Sequence, residues 1–400
     1  MFKLSASHYV SDESLANLKL YKYAAVDKSP TTHYILRHYW NWAVELFPLW
    51  MAPNLITLCG LGFVLVNLIC VILYIPDMVG PGPAWLYFSC SLGLWLYSTF
   101  DNVDGKQARR TGTSSPLGEL FDHGCDALNC SIGAIVEAAC MSFGHSWYAA
   151  FLLLMTTIPF YLSTWEEYHT GVLYLGYING PTEGLVMACA VMALSGIYGP
   201  QLWKMPLRHF VPVDKIGLAE WSLQDSMVAV MVFLMIFVHF PFCFMAVYRV
   251  CKAKNKSFLY IAIVENVPIV VYTLSGYAWL ASPYSYIFRH EHFILFAVTV
   301  GIVFGRIATK IILAHVTKSA FPMFTILQVP LVAGAIIMNL PVYLDIEPIL
   351  DAQGEYRYLQ AFFCFAVLAY ANWAYLVIDR FCNYLGIKCL SIPYPPKKTQ

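Results

Sequence analysis

The sequence predicts an all-α, polytopic membrane protein of about ten transmembrane helices, and three observations carry that prediction. Of the 400 residues, 59% are hydrophobic and 12% charged, against roughly 45–50% and 25% in ordinary soluble domains. The mean hydropathy of +0.60 is an average over the whole length, so several long spans must contribute. Finally, apolar runs of about 20 residues, the length that crosses a ~30 Å hydrocarbon core, recur along the chain. They lack the alternating polarity of barrel strands, and lipid leaves no backbone polar group unpaired, so helices are favoured. The net charge of +0 and the lack of a basic tract give no sign of a nucleic-acid partner. The 12 cysteines are scattered, mostly in apolar runs and without a C-x-x-C pair; they read as buried free thiols rather than a disulfide or zinc framework.

Taken in order, residues 1–47 mix charge with Leu18, Leu20, Tyr21, Trp40 and Trp42 and read as a cytosolic or interfacial lead-in. They show no signal-peptide pattern, so the first span is expected to act as its own insertion signal. Spans bounded by Pro, Gly or charge follow near 53–75, 83–100, 127–144, 148–164, 182–198, 225–247, 257–280, 291–314, 322–344 and 359–382. With ten spans, one side of the membrane holds all of the 24 Lys and Arg except Lys204, Arg208, Lys215, Arg289 and Arg357. The positive-inside rule places that side, both termini and the 101–126 segment in the cytosol. Four parts are expected: the lead-in, a core over 48–200, further spans over 201–385, and a tail over 386–400.

Between the second and third spans stand Asp101, Asp104, Asp122 and Asp126. An Asp at the centre of a span costs about 2.5–3.5 kcal/mol. If the flanking spans continue as helices, Asp101 and Asp104 at i,i+3 share one face and Asp122 and Asp126 at i,i+4 share another. Two such faces opposed would converge four carboxylates, whose repulsion is relieved by protonation, by basic partners or by divalent cations with oxygen ligands. Gly105, Ala108 and Gly118 permit close approach of a helix or a substrate. Arg109 offers a fork suited to phosphate oxygens, and Lys106 either a point charge or a topology signal.

The ordered set Asp101-x2-Asp104-Gly105-x2-Ala108-Arg109-x8-Gly118-x3-Asp122-x3-Asp126 matches in full the signature of the CDP-alcohol phosphotransferase family. The segments NLKLYKY, FPLWMAPNLITL, ARRTGTSSPLGELFDHGCDALN and STWEEYHT resemble the eukaryotic choline/ethanolamine phosphotransferase branch, with STWEEYHT and GIYGP closest to fungal cholinephosphotransferases. The resemblance spans roughly residues 15–200. It implies that 48–200 is the catalytic core and that phosphocholine or phosphoethanolamine passes from its CDP ester to diacylglycerol, giving the phospholipid and CMP. It also implies two Mg²⁺ or Mn²⁺ ions on Asp101, Asp104, Asp122 and Asp126, with Asp122 bridging them. Arg109 and Asn54 would contact the nucleotide, with room left by Gly105 and Ala108. A homodimer is implied as well. The lack of G-x-x-x-x-G-K-[ST] disfavours a P-loop nucleotide hydrolase.

For the base, the resemblance implies His123, with Glu119 at i−4 and Asp126 at i+3 to orient it; Asp126 is the alternative acceptor. Trp165, Glu166, Glu167, Tyr168 and His169 suit either an interfacial belt or a pocket for a quaternary ammonium, and Tyr97, one turn before Asp101, is a further candidate. Glu183, Glu265 and His315, at or within spans, suit either a pathway or helix-to-helix hydrogen bonding. The terminal Lys397-Lys398-Thr399-Gln400 resembles an endoplasmic reticulum retrieval signal, so that membrane, or the Golgi, is the expected location, with the active site facing the cytosol. The rival class is a transporter or ion carrier with intramembrane carboxylates. It predicts repeated halves and broken helices, and neither is visible in the sequence.

Overall fold

The computed structural model describes residues 9–210 and 219–392. Lys3, Lys215 and the terminal lysine pair lie outside them. The chain is mostly helical. Among the described residues, seven helices are long and apolar enough to cross a membrane: α1 Pro53–Tyr74, α4 Trp147–Thr170, α5 Gly180–Tyr198, α6 Leu223–Ala253, α7 Phe258–Ala281, α8 Phe293–Val316 and α10 Ala352–Leu385. Three more occupy the remaining apolar runs: α2 Ala84–Thr111, α3 Pro116–Cys140 and the shorter α9 Gln328–Leu344.

Two of these differ from the sequence expectation in length. α2 runs eleven residues past the apolar stretch that ends at residue 100, and α3 begins at Pro116 rather than near 127. The motif residues are therefore helical extensions of the spans, not a loop. Punctuation explains the limits: Gly112 at φ 67° takes the left-handed C-cap of α2, and Ser115 accepts from Gly118 N at 3.3 Å to cap α3, with Pro116 in its first turn.

Close approach fixes the helices around α3. A Cβ added at Gly301 of α8 would sit 2.5 Å from Ser131 Cβ of α3, so glycine is what lets these two backbones meet. On the other flank Asn67 of α1 donates to the Cys90 carbonyl of α2 at 3.2 Å, an interhelical bond worth on average about 0.6 kcal/mol in a membrane. α8 is buried along most of its length, which makes it the central post of the bundle.

The N-terminal segment is more than a lead-in. Its outward residues Tyr34, Ile35 and Trp42 are exposed, but Leu15 and Leu18 pack in one apolar cluster with Leu117 and Leu120 of α3, Ile312 of α8 and Trp373 of α10. A short parallel pairing of β1 Ala25–Asp27 with β2 Leu173–Leu175 ties it to the end of α4. It thereby closes over the end of the bundle that carries the aspartates.

Candidate active site

α2 and α3 are joined by a turn over 112–115, in which Thr113 N donates to the Ala108 carbonyl at 2.9 Å. The turn sets the carboxylate-bearing ends of the two helices against each other. The Asp101 carboxyl contacts those of Asp122 and Asp126, and Asp104 contacts Asp122. Asp104 is buried and the other three are half-buried. Second partners hold two of the four: Thr57 of α1 donates to Asp104, and Tyr97 of α2 donates to Asp126.

The other two carboxyls are incompletely matched. Asp101 Oδ1 and Asp122 Oδ1 are buried with no hydrogen-bond partner, a situation that costs roughly 1–3 kcal/mol per group and more when charged. Among the described residues no Lys or Arg forms an ion pair with any of the four. Asp122, His123 and Asp126 each offer an atom within 4.8 Å of the others. Clustered oxygen donors with unmatched lone pairs fit a hard divalent cation.

Around this cluster, Arg109 is exposed, and a Cβ at Gly105 would lie 3.6 Å from its Nη1, so the guanidinium folds back over Gly105. Ala108 is half-buried on the same helix. Lys106 donates to Asn41 Oδ1 at 2.8 Å, and Arg110 reaches the carbonyls of Val44 and Phe47, both at 2.9 Å. These two cations hold the N-terminal segment, leaving Arg109 for other work. Asn54 stands at the start of α1, with its Oδ1 3.9 Å from where a Cβ on Gly118 would project.

His123 sits half-buried, its Nδ1 3.9 Å from Glu167 Oε2 of α4. Glu119 takes a hydrogen bond from Tyr21 on Oε2, while its Oε1 lies 3.9 Å from His315 Nε2 of α8. Burial, and then the Glu119 carboxylate, push the Tyr21 phenol well above its ordinary value, so Tyr21 stays a donor. Trp165 has no exposed surface: it packs on Phe244, and its indole N–H donates to Glu265 Oε2 at 2.8 Å. Glu166 turns to Cys243 of α6. Glu265 also meets His169 Nε2 at 2.5 Å, and Glu183 takes the Ser29 hydroxyl.

Sequence reasoning gave no site role to Thr57 or Tyr21, and it offered Glu167 only as part of a headgroup pocket, not as a partner of His123. Thr57 and Tyr21 lie inside the quoted segments FPLWMAPNLITL and NLKLYKY. Glu166 and Glu167 differ by about 100° of helix rotation, and only packing shows which one faces α3.

Aligned carboxylates with unmatched oxygens, a half-buried histidine beside them and long apolar helices fit a polytopic membrane enzyme whose acidic cluster could hold a metal ion. Residues 50–213 match the family model for CDP-alcohol phosphatidyltransferase. The chain is 34% identical over 393 residues to choline/ethanolaminephosphotransferase 2 of Arabidopsis thaliana, covering 96% of this chain and 98% of the relative. It is 36% identical over 322 residues to cholinephosphotransferase 1 of Saccharomyces cerevisiae, covering 79% and 81%. A 399-residue match at 36% identity joins it to an uncharacterized class-I family protein of Schizosaccharomyces pombe, covering 96% and 98%. The chain belongs to the CDP-alcohol phosphatidyltransferase family, whose members are transferases.

Proposed function

We propose that this protein transfers phosphocholine, phosphoethanolamine or both from the CDP-alcohol to the hydroxyl of diacylglycerol, by attack on the β-phosphate with release of CMP. Similarity over nearly the whole chain to proteins named for that activity supports the substrate class. The observation that carries the chemistry is the pair of buried, unmatched oxygens on Asp101 and Asp122.

Asp101, Asp104, Asp122 and Asp126 would hold two Mg²⁺ or Mn²⁺ ions, which when bound would neutralise pyrophosphate charge and stabilise the leaving oxygen. Thr57 and Tyr97 fix two of the carboxylates in place by hydrogen bonds. Arg109 clamps phosphate oxygens with its fork, Gly105 and Ala108 leave room for the nucleotide, and Asn54 contacts it. His123 accepts the diacylglycerol proton as the new O–P bond forms, with Glu119 and Asp126 orienting it. Asp126, already bonded by Tyr97, is the less available acceptor. Trp165 and Glu166 shape the wall behind the headgroup rather than stack on its ammonium, because Trp165 is enclosed by Phe244 and Glu265.

On this reading all ten helices span. Both termini and the active site face the cytosol of the endoplasmic reticulum or Golgi, and the protein works as a homodimer. Residues 48–200 form the catalytic core, with 1–47, 201–385 and 386–400 as lead-in, further spans and tail. Diacylglycerol then arrives laterally from the bilayer and the CDP-alcohol from water. Radiolabelled CDP-choline and CDP-ethanolamine, supplied to the purified protein in vesicles with diacylglycerol and Mg²⁺, are expected to give labelled phospholipid and CMP. Uptake of label into the vesicles without lipid product would overturn the proposal in favour of a carrier.

A further inference from the structure

The connection from α6 to α7 and the end of α8 lie far apart in sequence, yet they close on one cavity of about 510 Å³. That falls within the roughly 300–1,000 Å³ of small-molecule sites. Lys254 and Lys256 come from the first segment and Lys318 from the second, with Tyr260 at the start of α7 in the same wall. All three lysines are exposed. None forms an ion pair among the described residues. The one acid among the lining residues, Glu265, is already engaged by Trp165 Nε1 at 2.8 Å and His169 Nε2 at 2.5 Å. Three cations against one occupied carboxylate leave the cavity positive.

Backbone turns fix these lysines around the hollow. After α6, Asn255 takes the left-handed region at φ 51°, and Lys256 N donates back to the Cys251 carbonyl at 2.9 Å. After α8, Lys318 takes it at φ 52°, and Ser319 N donates back to the Ala314 carbonyl at 2.9 Å. The two helices thus end in the same motif, whose left-handed position favours glycine or asparagine. α6 uses asparagine there. α8 uses a lysine, which the turn itself disfavours. A cation near a helix C-terminus complements the dipole, but Lys252 in the last turn of α6 already does so. Membrane topology asks for positive charge on one side, not for three lysines around one hollow.

The cavity lies where a span enters the bilayer. α7 is long and apolar enough to cross, and Leu259, Tyr260 and Ile263 in its first two turns are exposed. Tyr260 belongs both to this apolar surface and to the cavity wall. On the orientation proposed above, this end of the bundle faces the cytosolic leaflet, whose anionic lipids attract interfacial lysines at close range. A lysine ammonium binds phosphate as a point charge.

We infer that this cavity binds the phosphate of an anionic membrane lipid, with Lys254, Lys256 and Lys318 around the phosphate and the acyl chains along the exposed face of α7. A phosphate can come from a lipid headgroup or from a free anion in water. The apolar Leu259 and Ile263 beside Tyr260 favour the lipid, because a soluble anion has no use for them. The site is separate from the transfer reaction and uses none of its groups.

The test is native mass spectrometry of the full-length protein in neutral detergent, without substrate or metal, titrated with phosphatidylglycerol and separately with zwitterionic phosphatidylcholine. Both ends of the bundle are accessible there, so the readout depends on neither orientation nor catalysis, and its failure would leave the proposed reaction standing. Wild type is expected to bind a first phosphatidylglycerol on the order of a hundredfold more tightly than phosphatidylcholine, the factor that three interfacial lysines supply together. The triple variant Lys254→Gln, Lys256→Gln, Lys318→Gln is expected to lose that preference. A second triple variant, Arg249→Gln, Lys252→Gln, Lys388→Gln, removes equal charge outside the cavity and is expected to keep it. Lys318→Gly relaxes the left-handed turn, so its thermal midpoint is expected to hold or rise while lipid affinity falls about fivefold; it serves if the first triple variant fails to fold. Equal wild-type affinity for the two lipids, or equal losses in the two triple variants, overturns the site. Inorganic phosphate at millimolar concentration is expected to leave the lipid in place; displacement would give the cavity to a soluble anion and overturn the lipid assignment.

Discussion

Glu355 and the Asp101–Asp126 cluster are both carboxylates taken out of water by helices, and they are satisfied in opposite ways. Glu355, in the first turn of α10 and 1% exposed, receives Trp279 Nε1 at 2.8 Å, Ser285 Oγ at 2.9 Å and the Tyr286 backbone N–H at 2.7 Å. Three donors from the end of α7 and the loop that follows it converge on one acid, a structural arrangement in which nothing is left to bind. Asp101 and Asp122 lie against other acids and each keep one buried oxygen unmatched. A fold does not leave such oxygens unmatched without cause, because each costs stability. The contrast teaches that lone-pair satisfaction, rather than burial or charge, separates a carboxylate that braces the bundle from one held ready for a ligand.

The comparison is broken most directly at Asp122. Asp122→Asn is expected to lower turnover about a thousandfold, several kcal/mol of lost charge stabilisation, and chelation of divalent ions should remove activity from wild type until Mg²⁺ or Mn²⁺ is restored. The thermal midpoint of the metal-free variant should equal or exceed that of metal-free wild type, since one mutual repulsion is gone. A marked fall in that midpoint would show the cluster to be structural after all. His123→Ala should cost roughly 10²–10⁴ in kcat, while CDP-choline binding, read by calorimetry, persists.

At the other cluster the expected loss moves from rate to stability. Glu355→Ala strands three buried donors and should destabilise the protein by about 3 kcal/mol, seen as a lowered thermal midpoint, with turnover per folded molecule unchanged. Loss of turnover at full stability would mean that Glu355 belongs to the site. The smallest effect is expected at Tyr21, which joins the N-terminal segment to Glu119. Tyr21→Phe should cost about 1 kcal/mol near neutral pH. Burial and Glu119 raise the phenol in the folded state. The unfolded chain therefore loses its proton first as pH climbs past the ordinary value of about 10, and the bond's contribution, complete below that pH, declines above it. The stability gap between wild type and Tyr21→Phe should accordingly narrow in alkaline thermal melts; a gap constant with pH would place the phenol's titration elsewhere.

Much of this architecture was legible in the letters. Apolar runs fall where helices form, because a run of that length has no other way to satisfy its backbone in lipid. Gly112, Ser115 and Pro116 mark the turn between α2 and α3, each through its own conformational preference. The shared faces of Asp101 with Asp104 and of Asp122 with Asp126 follow from 3.6 residues per turn. The helical extensions that carry these residues were harder to place, since a polar stretch beyond a span has no periodic apolar signal to announce it.

The sequence by itself determined the membrane class, the helical punctuation and the set of acids brought to one hairpin, all of which depend on neighbours within a few residues. Tertiary structure alone decided that Glu167 and not Glu166 faces His123, that His315 of α8 comes up to Glu119, and that Tyr21 folds back over α3. Those choices turn on how far each helix is rotated against the next. Contacts such as Gly301 on Ser131 set that rotation between residues far apart in the chain, where local periodicity is silent.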